Sequence, residues 1–197
     1  MQKLTHALML VSALLAATAS DAQTTLRLRG TITGLEGSTL TVRSREGETV
    51  RLQVPDTAAI AVAKAVRFED IQPGDFVGAT TKKGADGSLV AIEVHYLPPT
   101  ATAGQTASDL EPEALMTNAR VEAAVSATGA RELTLQLKDG AQKISVPASA
   151  VLVRAVPGTR ADLKPGEYVF ATLQRATDGS LSVPRVQVSR DGVRPAQ

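Results

Sequence analysis

The sequence has no cysteine and no tryptophan, and it carries only five aromatic side chains: Phe68, Phe76, Tyr96, Tyr168 and Phe170. Without cysteine there is no disulfide, no thiolate chemistry and no acylation site for a lipoprotein anchor, so stability rests on packing and backbone pairing. Histidine is nearly as scarce. Beyond the first 22 residues there is one histidine, His95, and one methionine, Met116. A zinc or copper site draws three or four ligands from His, Cys and carboxylates. A transition-metal centre is therefore nearly excluded by counting, and no metal or cofactor is expected. Hydrolytic catalysis lacks parts for the same reason: His95 is the only imidazole base, and no Gly-x-Ser-x-Gly elbow precedes a helix.

An excess of one charge is also missing. Lys and Arg number 21 against 20 Asp and Glu, and they are scattered. That leaves no basic stripe for a nucleic acid and no single-signed field for an ionic surface. A long apolar run is absent too. The longest, Ala7 to Ala19, covers about a dozen residues against the roughly 20 that span a bilayer. Lys3 precedes it, and Ser20-Asp21-Ala22 follows with small residues where a signal peptidase reads. Residues 1–22 are thus expected to be a cleaved secretory signal with Gln23 as the new N-terminus. The mature protein is expected in the periplasm or outside the cell, with no membrane insertion.

What is present is a repeat. Asp70-Ile71-Gln72-Pro73-Gly74-Asp75-Phe76-Val77 recurs as Asp162-Leu163-Lys164-Pro165-Gly166-Glu167-Tyr168-Val169, an offset of 92 residues (162 − 70). Asp86-Gly87-Ser88-Leu89 recurs unchanged as Asp178-Gly179-Ser180-Leu181, and Val54-Pro55 matches Val146-Pro147, at the same offset. Looking for such periods first decides the architecture. Within each copy the apolar residues alternate, as half-buried strands require. Val50-Arg51-Leu52-Gln53-Val54 shows it most clearly, and Asp86-Gly87 is a tight hairpin signal. Five strands and one short irregular crossing in some 70 residues predict an all-β chain of two tandem small five-stranded barrels. The oligonucleotide/oligosaccharide-binding (OB) barrel is the simplest form, with an SH3-like barrel or a small sandwich as alternatives. The expected boundaries are 26–97 for the first repeat, 98–117 for a linker, 118–190 for the second repeat and 191–197 for a flexible tail. Ser108 is placed to cap a helical turn over Asp109 to Glu113.

Three features carry a resemblance: Gly30-Thr31-Ile32 opening the first strand, the Ile/Leu-x-Pro-Gly-Asp/Glu-aromatic-Val turn, and the Asp-Gly-Ser-Leu hairpin. Together they resemble an uncharacterised family of exported bacterial proteins with tandem small domains. Met116-Thr117-Asn118-Ala119 is similar to the junction between repeats in such relatives. Such relatives can carry a His and a Trp just upstream of it, whereas Gly104 to Leu110 here holds neither. The resemblance implies an exported tandem-barrel protein and no assigned activity.

Few residues stand out as candidate site residues. Glu93 and His95 share one face of the last strand of the first repeat, opposite Val94 and Tyr96. They offer two ligands or a proton relay, against the plainer expectation of a solvated polar face. The second repeat has Arg185 and Gln187 at these positions, so the repeat itself does not need the pair. Glu93, His95 and Tyr96 are the candidate ligand-binding residues, and no catalytic residue is assigned. The repeated acids Asp70/Asp162, Asp75/Glu167 and Asp86/Asp178 adjoin Pro-Gly or Gly-Ser turns, where such side chains hold nearby backbone. The five aromatic rings are expected in the core, and Lys82-Lys83 at a solvated hairpin tip. The expected function is that of a non-enzymatic accessory or adaptor protein working through contacts with another periplasmic or envelope protein, by strand addition at exposed edges. Pro184 interrupts the last strand of the second repeat, which favours the first repeat for such pairing. The alternative is an oligosaccharide- or small-ligand-binding protein that uses the cleft between the two barrels.

Overall fold

The computed structural model describes residues 26–127, 129–175 and 179–196. The predicted signal segment and Asp178 of the second Asp-Gly hairpin lie outside the described residues. The chain is all-β. The first repeat supplies β1 (Leu26–Glu36), β2 (Thr39–Ser44), β3 (Thr49–Gln53), β4 (Ala59–Ala65), a 3-10 turn (Phe68–Asp70), β5 (Phe76–Lys83) and β6 (Leu89–Tyr96). A short strand, β7 (Gly104–Ala107), leads into the second repeat. That repeat supplies β8 (Leu115–Ala127), β9 (Ala130–Leu137), β10 (Gly140–Ser145), β11 (Val151–Pro157), a 3-10 turn (Arg160–Asp162), β12 (Tyr168–Arg175) and β13 (Leu181–Val188). No helix among the described residues is long and apolar enough to cross a membrane.

The turn chemistry is as the residues dictate. Gln72-Pro73-Gly74-Asp75 closes with Asp75 N–H donating to the Gln72 carbonyl at 3.1 Å, and its repeat closes with Glu167 N–H donating to Lys164 at 3.2 Å. Gly74 and Gly166 take φ of 94° and 93°, the left-handed region that the third position of such a turn demands. Four of the six repeated acids serve local turns, whereas Glu167 accepts from Ser189 Oγ instead. Asp75 accepts from Gln72 N–H at 2.8 Å, Asp70 from Arg67 N–H at 3.1 Å, Asp162 from Thr159 N–H at 2.8 Å and Asp86 from Ser88 N–H at 3.0 Å.

Strand pairing departs from one barrel per repeat. β1 pairs with β2, β2 with β3, β3 with β13 in parallel, β13 with β12 and β12 with β1, which closes a five-strand ring. Three of its strands come from the first repeat and two from the second. The reciprocal set β8, β9, β10, β6 and β5 is paired in the same cyclic order. The run β6-β11-β4-β13 joins the two sets, with β4 and β11 antiparallel at its centre.

The cores follow the pairing. Ile32, Leu40, Val42, Leu52 and Val54 of the first repeat pack with Leu163, Val169, Val183, Val186 and Val188 of the second. Phe68, Ile71, Val77 and Val94 of the first pack with Val121, Leu133, Leu135 and Ile144 of the second. Each repeat alone thus leaves two half-cores exposed, and burial against the other repeat is the favourable term. β4 carries the chain across: Val62 lies in one core, and Phe68 a few residues later lies in the other. No Gly or Pro interrupts Ala59–Ala65, so the strand runs straight where a self-contained barrel would turn back.

Smaller departures have local causes. The predicted linker holds β7, paired with β8 from Gly104↔Asn118 to Ala107↔Leu115. Asp109–Glu113 forms bends and a turn rather than a helical turn, although Ser108 Oγ does accept from Leu110 N–H at 3.3 Å. The C-terminal segment packs down: Arg190 and Val193 bridge, and Ala196 is buried. β6 is flanked by β5 and β11, so the last strand of the first repeat offers no free edge for partner pairing. Pro184 lies at the bulge between Thr172 and Gln174 pairings, where no ladder bond is lost.

Candidate functional site: the cleft between the rings

Alternation along β6 sends Val94 into a core, so Glu93 and His95 leave by the opposite face. That face was expected to be solvated. Instead Glu93 is 6% and His95 5% exposed, with β11 paired alongside them. Glu93 Oε1 stands 3.3 Å from His95 Nδ1, without the alignment of a hydrogen bond, and His95 Nε2 has no hydrogen-bond partner either. On the neighbouring strand β5, Gly78 pairs with His95 and, on its other side, with Asn118 of β8. A Cβ at Gly78 would come within 2.6 Å of His95 Nε2 and 3.0 Å of Asn118 Oδ1, so the missing side chain is what lets the imidazole lie there. Asn118 Oδ1 and the hydroxyls of Thr80 and Thr81 are also buried without a partner.

The second ring presents its own outer face to the same space. Val186 and Val188 fill its core while Arg185 and Gln187 point outward, as do Phe170 and Thr172 on β12. His95, Tyr96 and Met116 from one ring, and Arg27, Phe170, Arg185 and Gln187 from the other, line a cleft of about 250 Å³. Ala155 of β11 and the buried Ala196 close its sides. The two copies match in core and turns but differ here: Gly78 answers to Phe170, Glu93 to Arg185 and His95 to Gln187, each 92 residues on (170 − 78). A larger hollow of about 420 Å³ lies elsewhere, between β7 and the β9–β10 hairpin, and does not include His95.

The electrostatics of the wall are uneven. Arg29 is buried and donates to both oxygens of Asp109, at 2.5 and 2.9 Å, while its guanidinium lies 5.0 Å from the Phe170 ring centre. Arg27 reaches the same carboxylate only at 3.9 Å. Burial of Asp109 raises its pKa, but the Arg29 hydrogen bonds and charge outweigh it and hold the carboxyl below its usual range. Tyr96 donates its hydroxyl to the Asp70 carbonyl at 2.9 Å, and Arg154 stacks 4.0 Å from the centre of its ring. Burial pushes the Tyr96 phenol up, with Asp75 adding to it and Arg154 opposing.

Of the expected site residues, the structure brings Glu93 and His95 together and places His95 and Tyr96 on the cleft, with Glu93 behind the imidazole. The aromatic residues divide. Phe68 and Phe170 are buried, whereas Phe76, Tyr96 and Tyr168 are half-exposed and each faces an arginine: Arg120, Arg154 and Arg194. Arg27, Arg185, Phe170 and Gly78 were not marked by the sequence. The signal for Arg185 was there, as the opposite charge at the position equivalent to Glu93. No group of three or more His, Cys, Asp or Glu among the described residues is placed to hold a metal ion. No protein-family model, no curated protein and no solved structure matches this chain.

Proposed function

We propose that this chain is an exported, non-enzymatic binding protein whose ligand site is the cleft between two OB-type rings. The cyclic strand order, with β3 and β13 parallel, supports an OB-type reading of each ring. One observation carries the functional reading. His95 is an imidazole more than nine-tenths buried in the cleft wall, with no hydrogen bond to either ring nitrogen. Nδ1 has the Glu93 carboxylate beside it, but Nε2, lying against Gly78, is left unmatched at a cost of about 1–3 kcal/mol, so a bound partner toward which the imidazole turns is stabilising. The test is native mass spectrometry of the mature protein isolated gently from its host. A retained small mass that disappears in a His95→Ala variant supports the cleft. A bare chain in both, with a co-purifying protein instead, overturns it in favour of an adaptor.

That adaptor reading, with another envelope protein as partner, is favoured by a different feature. β7 is exposed at all four residues and pairs with β8 alone among the described strands, so its outer edge is open to strand addition.

A further inference from the structure

The geometry points to one class of ligand for the cleft: a small organic carboxylate, on a body of about one ring that carries a further hydrogen-bonding group. This rests on the cleft reading above and adds the chemistry. Size comes first. The cleft measures about 250 Å³. That is more than the roughly 150 Å³ that accommodates benzene in an apolar cavity. It is less than the roughly 300–1,000 Å³ of drug-sized sites. That is room for about one ring.

Charge comes next. Two guanidinium groups, Arg27 and Arg185, line the cleft from one ring. Asp109, which lies 3.9 Å from Arg27, is already held by two nitrogens of Arg29. Arg185 has no ion pair among the described residues. Glu93 sits behind the imidazole on the Nδ1 side and does not line the cleft. The wall therefore carries permanent positive charge on one side, and a guanidinium fork matches a carboxylate in shape as well as sign. The opposite ring supplies the other half of the recognition. There the His95 imidazole lines the cleft with its unmatched Nε2 turned onto Gly78, so it meets the ligand by rotating off that strand, and Met116, with Phe170 of the arginines' own ring, offers apolar surface for the body of the ligand. One end anionic, the middle apolar and the far end hydrogen-bonding is the pattern of a hydroxylated cyclic acid.

The experiment is calorimetric titration of the mature full chain with 4-hydroxybenzoate, benzoate and 4-hydroxybenzamide. The expected result is that 4-hydroxybenzoate binds about tenfold more tightly than either of the other two. Arg185→Ala, at an exposed position, lowers the affinity for both acids about tenfold and leaves the amide unchanged. His95→Gln, which installs the residue of the second repeat at this position, removes the advantage of 4-hydroxybenzoate over benzoate. An amide that binds as well as the acid, or an Arg185→Ala variant without effect, overturns the carboxylate assignment while leaving the cleft as a binding site. No heat with any of the three compounds overturns the class. If native mass spectrometry also shows a bare chain, the cleft reading falls with it.

Discussion

Glu93 Oε1 lies 3.3 Å from Nδ1 of His95, and both side chains are more than nine-tenths buried on a face that alternation alone assigns to solvent. Two ionisable groups so placed depend on one another, because each is part of the other's polar surroundings in a poorly hydrated site. His95→Ala is expected to destabilise the fold by about 3 kcal/mol. Arg185→Ala, on the exposed rim, is expected to stay within about 0.5 kcal/mol of the parent. Urea unfolding followed by circular dichroism measures both. Equal midpoints for the two variants would show that the pair is not under the second ring.

Gly30 and Gly34 stand four residues apart on β1 and make opposite predictions. A Cβ at Gly30 would lie 2.2 Å from the backbone oxygen of Arg43, whereas one at Gly34 meets nothing within 4 Å. A backbone neighbour cannot swing aside, so β1 and β2 would have to part. Gly30→Ala is expected to cost about 1–3 kcal/mol, and Gly34→Ala to be neutral or slightly stabilising. Thermal unfolding of the two variants side by side reads the difference.

Much of this was legible in the residues, and the part that was not has a definite cause. Alternation in Val50–Val54, the Pro-Gly turns and the Asp86-Gly87 hairpin place the strands, because these signals are local. Pairing is not local. Leu40, Val42 and Leu52 can be covered from β5–β6 or from β12–β13, since Val77 and Val94 recur as Val169 and Val186. The clue lay in β4, where Ala59–Ala65 lacks any residue that would turn the chain back. The same exchange hides the cleft. Glu93 and His95 do point away from a core, but the space that His95 lines is closed by Phe170, Arg185 and Gln187 from a strand pair 75 residues away or more (170 − 95).

Acid is expected to loosen the second repeat's 3-10 turn and the seam at Asp109. The Asp162 carboxyl is held below its usual range by the Thr159 backbone N–H first and by Arg190 next, at 2.6 Å. Asp109 is likewise lowered, by Arg29 against its own burial. A carboxyl with a lowered pKa in the folded state contributes stability that is fully present above the unfolded value of about 3.9. That contribution is lost as pH falls through the lower, folded value. Melting temperature should therefore be flat with respect to these groups above about pH 5 and fall below pH 4. Asp162→Asn should flatten part of that fall, and an identical acid limb in the variant would remove Asp162 from the account.

The exchange of strands makes a prediction about the repeats themselves. A chain limited to residues 26–97 holds β1–β3, which need β12–β13, and β5–β6, which need β8–β10. Folding back on itself would require a full reversal between Val54 and Phe68; the turn at Asp56-Thr57 instead feeds β4, which is extended from Ala59 to Ala65 and carries no turn residue. Two copies can satisfy each other instead: β5–β6 of each closes the ring begun by β1–β3 of the other, and the two β4 strands pair where β4 and β11 pair now. Residues 26–97 are therefore expected to form a dimer by light scattering at micromolar concentration. Placing Asn-Gly at Ala61-Val62 should shift the population toward monomer by supplying the missing turn. A folded monomer of the unaltered repeat, with protected strand amides in hydrogen exchange, would mean that β4 bends readily and that the exchange between repeats is optional rather than imposed by the sequence of the crossing strand.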